Sequence, residues 1–162
     1  MKTMLQTGLG QLGLTLEAAQ EQKLLDYLAL IAKWNRVYNL TAVRDPEEML
    51  SYHLLDSLSA LAPLQRCIKQ HASKTLLDVG SGAGLPGVVF AICNPDLHVA
   101  CVDTVGKKAA FIQQAAAALC LHNLQGVHNR VEKLQQRYDI VCSRAFASLP
   151  DFVNWSANAL AD

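Results

Sequence analysis

The chain has 162 residues with 14 basic and 14 acidic side chains, so its formal net charge is zero and any polyanionic partner must be held by a local basic patch rather than a global field. Half of the residues are hydrophobic, enough for a sizeable core. The five cysteines (Cys67, Cys93, Cys101, Cys120, Cys142) form no C-x-x-C pair and no zinc spacing with histidine, and their apolar surroundings read as buried, reduced thiols of a cytoplasmic protein. No apolar stretch reaches membrane-spanning length and no signal-peptide core opens the chain, so neither a membrane nor a metal partner is expected.

The first part reads as helical. From Thr15, taken as an N-cap, apolar residues recur at Leu24, Tyr27, Leu28, Ile31, Trp34 and Tyr38, the spacing of one helix face. The run "DPEE" predicts a second helix with Asp45 as N-cap, Pro46 at the first position and Glu48 closing a capping box. Its apolar face is Leu50, Leu54, Leu58 and Leu61, and Pro63 is expected to end it. These elements make residues 1–70 a helical extension.

From Thr75 the hydrophobic period changes. Residues 75–79, 98–103, 126–129 and 138–145 read as short buried strands, with helices over 86–93, 106–120 and 148–160. Alternating strands and helices with short connections predict βαβ units, a parallel sheet, and an α/β domain over 71–162. In such sheets a ligand binds beyond the carboxyl ends of the strands.

The segment "LLDVGSGAGLPGV" (76–88) follows the first strand and puts four glycines into eight positions. The "GAGLPG" within it matches the dinucleotide fingerprint, and Asp103 stands nineteen residues past Gly84, where a ribose-binding acid belongs. Two residues oppose a pyrophosphate there. Pro86 brings no N–H to the helix start, and the Asp78 carboxylate would lie beside the phosphates. The same carboxylate suits S-adenosylmethionine, whose methionine end is cationic. The pattern Asp78, Gly80, Gly82, Gly84, with Asp103 closing the second strand, therefore reads as a site for that cofactor. Taken singly, Asp103 also fits an N-cap for the following helix, and Asp78 a satisfied buried carboxylate.

The methyl acceptor is narrowed by what the chain lacks. "SRAFAS" (143–148) stands where an Asn/Asp-Pro-Pro-aromatic loop would serve exocyclic amines, and none of the cysteines follows a proline as a ring-carbon nucleophile would. A ring nitrogen with its own lone pair fits best, since displacement at the methyl then needs positioning and no general base. Protein and small-molecule acceptors stay open. Arg144 and Phe146 stand at the mouth of the expected site, where a guanidinium grips a phosphate or base edge and an aromatic stacks on a splayed base. Each alone also fits an ordinary surface charge or core ring.

Together, "WNRVYNLTAVRDPEEML" (34–50), "HLLDSL" (53–58), "LLDVGSGAGLPG" (76–87), "VDTVGKKAAFI" (102–112), "NRVEKL" (129–134) and "SRAFASL" (143–149) resemble the glucose-inhibited division protein B family. This is a family of bacterial methyltransferases that modify the seven-position nitrogen of a guanine in 16S rRNA. The resemblance implies a Rossmann-like class I S-adenosylmethionine-dependent methyltransferase fold with an N-terminal helical extension. It implies 16S rRNA or the small ribosomal subunit as partner, and cofactor contacts at Gly80, Leu85, Val131, Glu132 and Arg144. Val131 and Glu132 follow the third strand, where contacts to the adenine are expected. The family pattern also carries three further strands, which the 162 residues do not reach; the last strands of the sheet are expected to be missing. Two other readings remain: a non-catalytic cofactor- or RNA-binding fragment of this fold, and an NAD-dependent enzyme.

Overall fold

The computed structural model describes residues 1–161. Its N-terminal part is helical: α1 (Lys2–Gln11), α2 (Ala18–Tyr38), α3 (Pro46–Met49), a π-helical stretch (Leu50–Leu55), α4 (Asp56–Ser59) and α5 (Leu61–His71). Then strands and helices alternate: β1 (Thr75–Val79), α6 (Gly87–Cys93), β2 (His98–Asp103), α7 (Gly106–Ala118), β3 (Leu124–His128), β4 (Ile140–Ser143) and α8 (Leu149–Ser156).

Three details of the helical part differ from the sequence reading. The N-cap of α2 is Glu17, not Thr15, and it forms a reciprocal capping box with Gln20. At α3 the Asp45 carboxylate takes the amides of both Glu47 and Glu48 at 3.0 Å, so one side chain caps the helix without a return bond from Glu48. Pro63 does not end a helix. The break falls at Ala60, and Pro63 lies in the first turn of α5, where the N–H it lacks would have had no intrahelical partner. Among the thiols, all five are free and Cys93 and Cys101 are buried, yet Cys67 and Cys142 are only half-buried and Cys120 is exposed. It sits just past the end of α7 with a positive φ of 52°, outside the apolar face that buries its neighbours.

All strand pairs are parallel, in the order β3-β2-β1-β4. Alternation along the strands gives the sheet two apolar faces. Leu76, Val99 and Cys101 pack with α2, α6 and α7, while Leu77, Val79, Ala100 and Val102 pack with Val131, Tyr138 and Ala159 on the other side. The N-terminal helices share the first of these cores: Leu24, Ile31, Leu54 and Leu58 are fully buried in the same cluster as Val88 and Phe111. The extension is thus packed directly over the elements that carry the glycine loop. Replacing any of these leucines with alanine is expected to cost about 2–5 kcal/mol.

Candidate functional site

The carboxyl ends of the strands open into a cavity of about 500 Å³, within the range of small-molecule sites. Its floor is the ends of β1 and β2. One wall is the β2–α7 connection with Asp103, Val105 and Lys108, and another is the segment after β3 with Asn129, Val131 and Glu132. Gly80, Phe146 and Trp155 close the remaining side.

Of the residues singled out in the sequence, Gly80, Asp103, Val131, Glu132 and Phe146 line this cavity. Asp103 is 7 % exposed and holds two loops at once. One carboxylate oxygen accepts the Gly82 amide at 3.0 Å and the other accepts the Val105 amide at 2.9 Å. The N-cap position of α7 is Val105, so Asp103 acts as a brace between loops rather than as the cap. Each oxygen keeps a second lone pair, which a ribose hydroxyl at the cavity edge can use. Val131 is buried at the start of a 3-10 turn, and Glu132 beside it is exposed, with its carboxylate 3.7 Å from the Arg130 guanidinium.

Asp78, Gly82, Gly84, Leu85 and Arg144 do not line the cavity; they build what stands behind it. Asp78 is fully buried beneath the glycine loop. One of its oxygens accepts the Gly87 amide at 2.8 Å, and the other has no partner. Burial pushes this carboxyl up to about 7, against the opposing pull of the Gly87 amide and the Arg144 guanidinium. The amide that a phosphate would use at the start of α6 is therefore already taken by an acid. Gly87 is a glycine because a Cβ there would run into the Cys101 sulfur of β2 and come within 2.9 Å of the Asp78 carboxylate. Gly82 and Gly84 hold positive φ angles of 59° and 91° that carry the chain over Asp78, and Leu85 is buried below.

Arg144 leaves the end of β4 away from the cavity. Its Nη1 donates to the Tyr52 carbonyl and to the Asp56 carboxylate, both at 2.9 Å, and so ties the sheet to the helical part. Beside it, His53 is buried with Nε2 3.0 Å from the Thr41 hydroxyl. Burial first, and then the Arg144 charge, hold this imidazole below its ordinary pKa.

Two residues with roles at the site were not assigned them from sequence. Tyr27 read as one apolar position among leucines, yet its fully buried hydroxyl donates to the Ala83 carbonyl in the glycine loop at 2.6 Å. Burial raises its pKa well above the ordinary value, so it stays a donor. A phenol in a leucine stripe was the available signal. Trp155 on α8 meets Phe146 edge-on, with centroids 5.9 Å apart. Phe146 in turn lies where a Cβ on Gly80 would project, so the close approach at that glycine is made by the chain's own ring.

A parallel sheet in this order, with a braced glycine loop after β1 and an acid closing β2, defines the class I methyltransferase fold. A structure of coclaurine N-methyltransferase bound to N-methylheliamine and SAH superposes with a TM-score of 0.54 at 13 % identity, covering 99 % of this chain and 56 % of that one. A Staphylococcus aureus structure assigned as a caffeoyl-CoA O-methyltransferase superposes at 0.53 with 16 % identity over 83 % of this chain and 61 % of that one. At these identities the likeness is one of fold. The family model described as rRNA small subunit methyltransferase G (GidB) matches residues 20–162. The ribosomal RNA small subunit methyltransferase G of Paracidovorax citrulli is 61 % identical over 167 residues, covering 97 % of this chain and 69 % of the relative. That of Verminephrobacter eiseniae is 57 % identical over 176 residues, covering 99 % of this chain and 74 % of the relative. The chain belongs to the rRNA small subunit methyltransferase G family.

Among the described residues, no group of three His, Cys, Asp or Glu side chains could hold a metal ion, and no helix is long and apolar enough to cross a membrane.

Proposed function

We infer that this chain binds S-adenosylmethionine in the cavity at the carboxyl end of its sheet and transfers the methyl group to the seven-position nitrogen of a guanine in 16S rRNA, in the cytoplasm. The observation that carries the cofactor reading is the Asp103 brace: a carboxylate on the cavity wall, bonded to the glycine loop on one side and the α7 turn on the other. The residues fit the group. Asp103 would hold the ribose hydroxyls, Val131 and Glu132 would flank the adenine, and Gly80 lies at the cavity edge toward the methionine end. Asp78, with one buried oxygen unpartnered and its carboxyl raised to about 7, lies under the loop, where a cationic ligand would favour its ionised form. Arg144 is the residue of the set that this geometry leaves outside the cavity, held by Asp56 and the Tyr52 carbonyl. We place it as the link through which the helical part and the site act together.

When bound, S-adenosylmethionine supplies a methyl on a sulfonium, which a ring nitrogen's lone pair displaces as the neutral thioether leaves. The chain's task is then to align acceptor and cofactor and keep water out. Family membership supports rRNA as the acceptor. The test is methyl incorporation into 16S rRNA, presented free and as small subunits, followed by borohydride and aniline treatment, which cleaves at guanines methylated on the seven-position nitrogen. A single cleavage site that requires the cofactor supports the reading; incorporation without cleavage points to another atom and overturns the position assigned.

A further inference from the structure

The helical part carries, beside the carboxyl end of the sheet, two exposed tyrosines that the core does not need. Tyr38, the last residue of α2, is 42 % exposed, and Tyr52 in the π-helical stretch is 62 % exposed. Both are braced. The Tyr38 ring lies 5.1 Å from Trp34, which packs edge-on against the buried Phe111 at 5.5 Å, and the Lys107 ammonium stands 5.9 Å from the Tyr38 centroid. At Tyr52 the carbonyl is held by Arg144, and the neighbouring His53 side chain meets Thr41, whose amide donates to the Asn35 side chain at 2.9 Å. The turn between the two tyrosines is therefore fixed at both ends. Lys107 follows β2 by four residues and Arg144 follows β4 directly, so both tyrosines belong to the carboxyl end of the sheet, outside the lining of the cavity itself.

We propose that Tyr38 and Tyr52, with Lys107 beside the Tyr38 ring, form the platform on which single-stranded RNA next to the target nucleotide stacks. This rests on the rRNA reading above. Aromatic faces held rigid in water accept bases without regard to sequence, and an adjacent ammonium takes a backbone phosphate. In a chain of zero net charge, such a local set is what can hold a polyanion.

The experiment measures binding of a 16S rRNA transcript and of assembled small subunits to wild type, Tyr38→Ala/Tyr52→Ala, Tyr38→Phe/Tyr52→Phe and Lys107→Ala over a range of salt. Calorimetry with S-adenosylhomocysteine and thermal melting run alongside. The alanine pair is expected to weaken transcript binding at least about tenfold, since each lost stack removes that much on its own. The phenylalanine pair keeps the affinity, and Lys107→Ala lowers the salt slope by about one. Cofactor-product binding and melting stay as in wild type. Full transcript affinity in the alanine pair overturns the platform and leaves the rRNA reading intact. Binding lost toward subunits alone also overturns it, because the contact is then with protein. A wild type with no affinity for either RNA form overturns the rRNA reading and the platform with it.

Discussion

The Asp103 carboxylate accepts the Gly82 amide at 3.0 Å, so the acid that closes the second strand holds the glycine loop that follows the first. Two features twenty-one residues apart in the chain are one structural unit. Asp103→Ala is expected to weaken S-adenosylhomocysteine binding by about 1–3 kcal/mol, because the ribose loses a charged acceptor and the loop loses its tie. Calorimetry reads the affinity and hydrogen exchange at Gly82 reads the loop. Unchanged affinity with faster exchange would leave Asp103 a brace alone.

Tyr27 makes the corresponding tie from the helical part, through its 2.6 Å bond to the Ala83 carbonyl. Tyr27→Phe keeps the ring against Phe111 but leaves a buried carbonyl without its donor, at a cost of about 1–3 kcal/mol in denaturant unfolding. Cofactor affinity should fall with it, since the loop moves with Ala83. A variant as stable as wild type would show that water replaces the hydroxyl.

Asp78 predicts a pH dependence of the ligand-free chain. Its folded pKa lies above the unfolded one, about 7 against 3.8, so the stabilisation from its neutral form is full below pH 4 and lost as pH rises to 7. Over that window the loss is on the order of 4 kcal/mol, from about three units at about 1.4 kcal/mol each. His53, whose folded pKa is lowered, acts in the opposite sense and costs stability as pH falls below its ordinary 6.5. Asp78→Asn keeps an acceptor for the Gly87 amide and isolates the first effect. The difference in unfolding free energy between wild type and variant should change through pH 4–7 and level off beyond. Parallel profiles would show that Asp78 ionises normally.

The alternation of strands and helices, the glycine loop and the acid at the end of β2 were legible in the sequence because each is local. Hydrophobic period, turn chemistry and spacing report on neighbours within a few residues. What those neighbours touch is not local. The glycines announced a close approach, and the structure shows that Phe146 makes it at Gly80 and that Cys101 and Asp78 make it at Gly87. Asp78 looked like a ligand contact and lies beneath the loop instead, because the start of α6 claims its carboxylate. The π-helical stretch had no signal, since "LSYHLL" carries the same apolar residues whether the turn is wide or regular. Pro63 misled for a related reason: proline stops a helix interior, but a first turn accepts it.

Arg144 links the end of β4 to Asp56 across the surface, with the two side chains 33 % and 55 % exposed. Such a pair contributes at most about 1 kcal/mol to folding. Arg144→Ala is therefore expected to lower Tm by less than about 4 °C, as that energy implies for a domain of this size. Methyl transfer should fall at least about tenfold, because cutting the link to Asp56 and the Tyr52 carbonyl lets the helical part shift against the end of β4, and a small misplacement far from the chemistry is enough for that loss. Matched small losses in both would make the residue a surface tie and nothing more.

The central claim is that the cavity beside Asp103 takes S-adenosylmethionine and not a dinucleotide. Isothermal calorimetry on the 162-residue chain, with S-adenosylhomocysteine and NAD titrated in parallel into wild type and Asp103→Ala, tests it most directly. Saturable heat with S-adenosylhomocysteine, weakened in the variant, and none with NAD is the predicted result. Saturable binding of NAD with none of S-adenosylhomocysteine would contradict it.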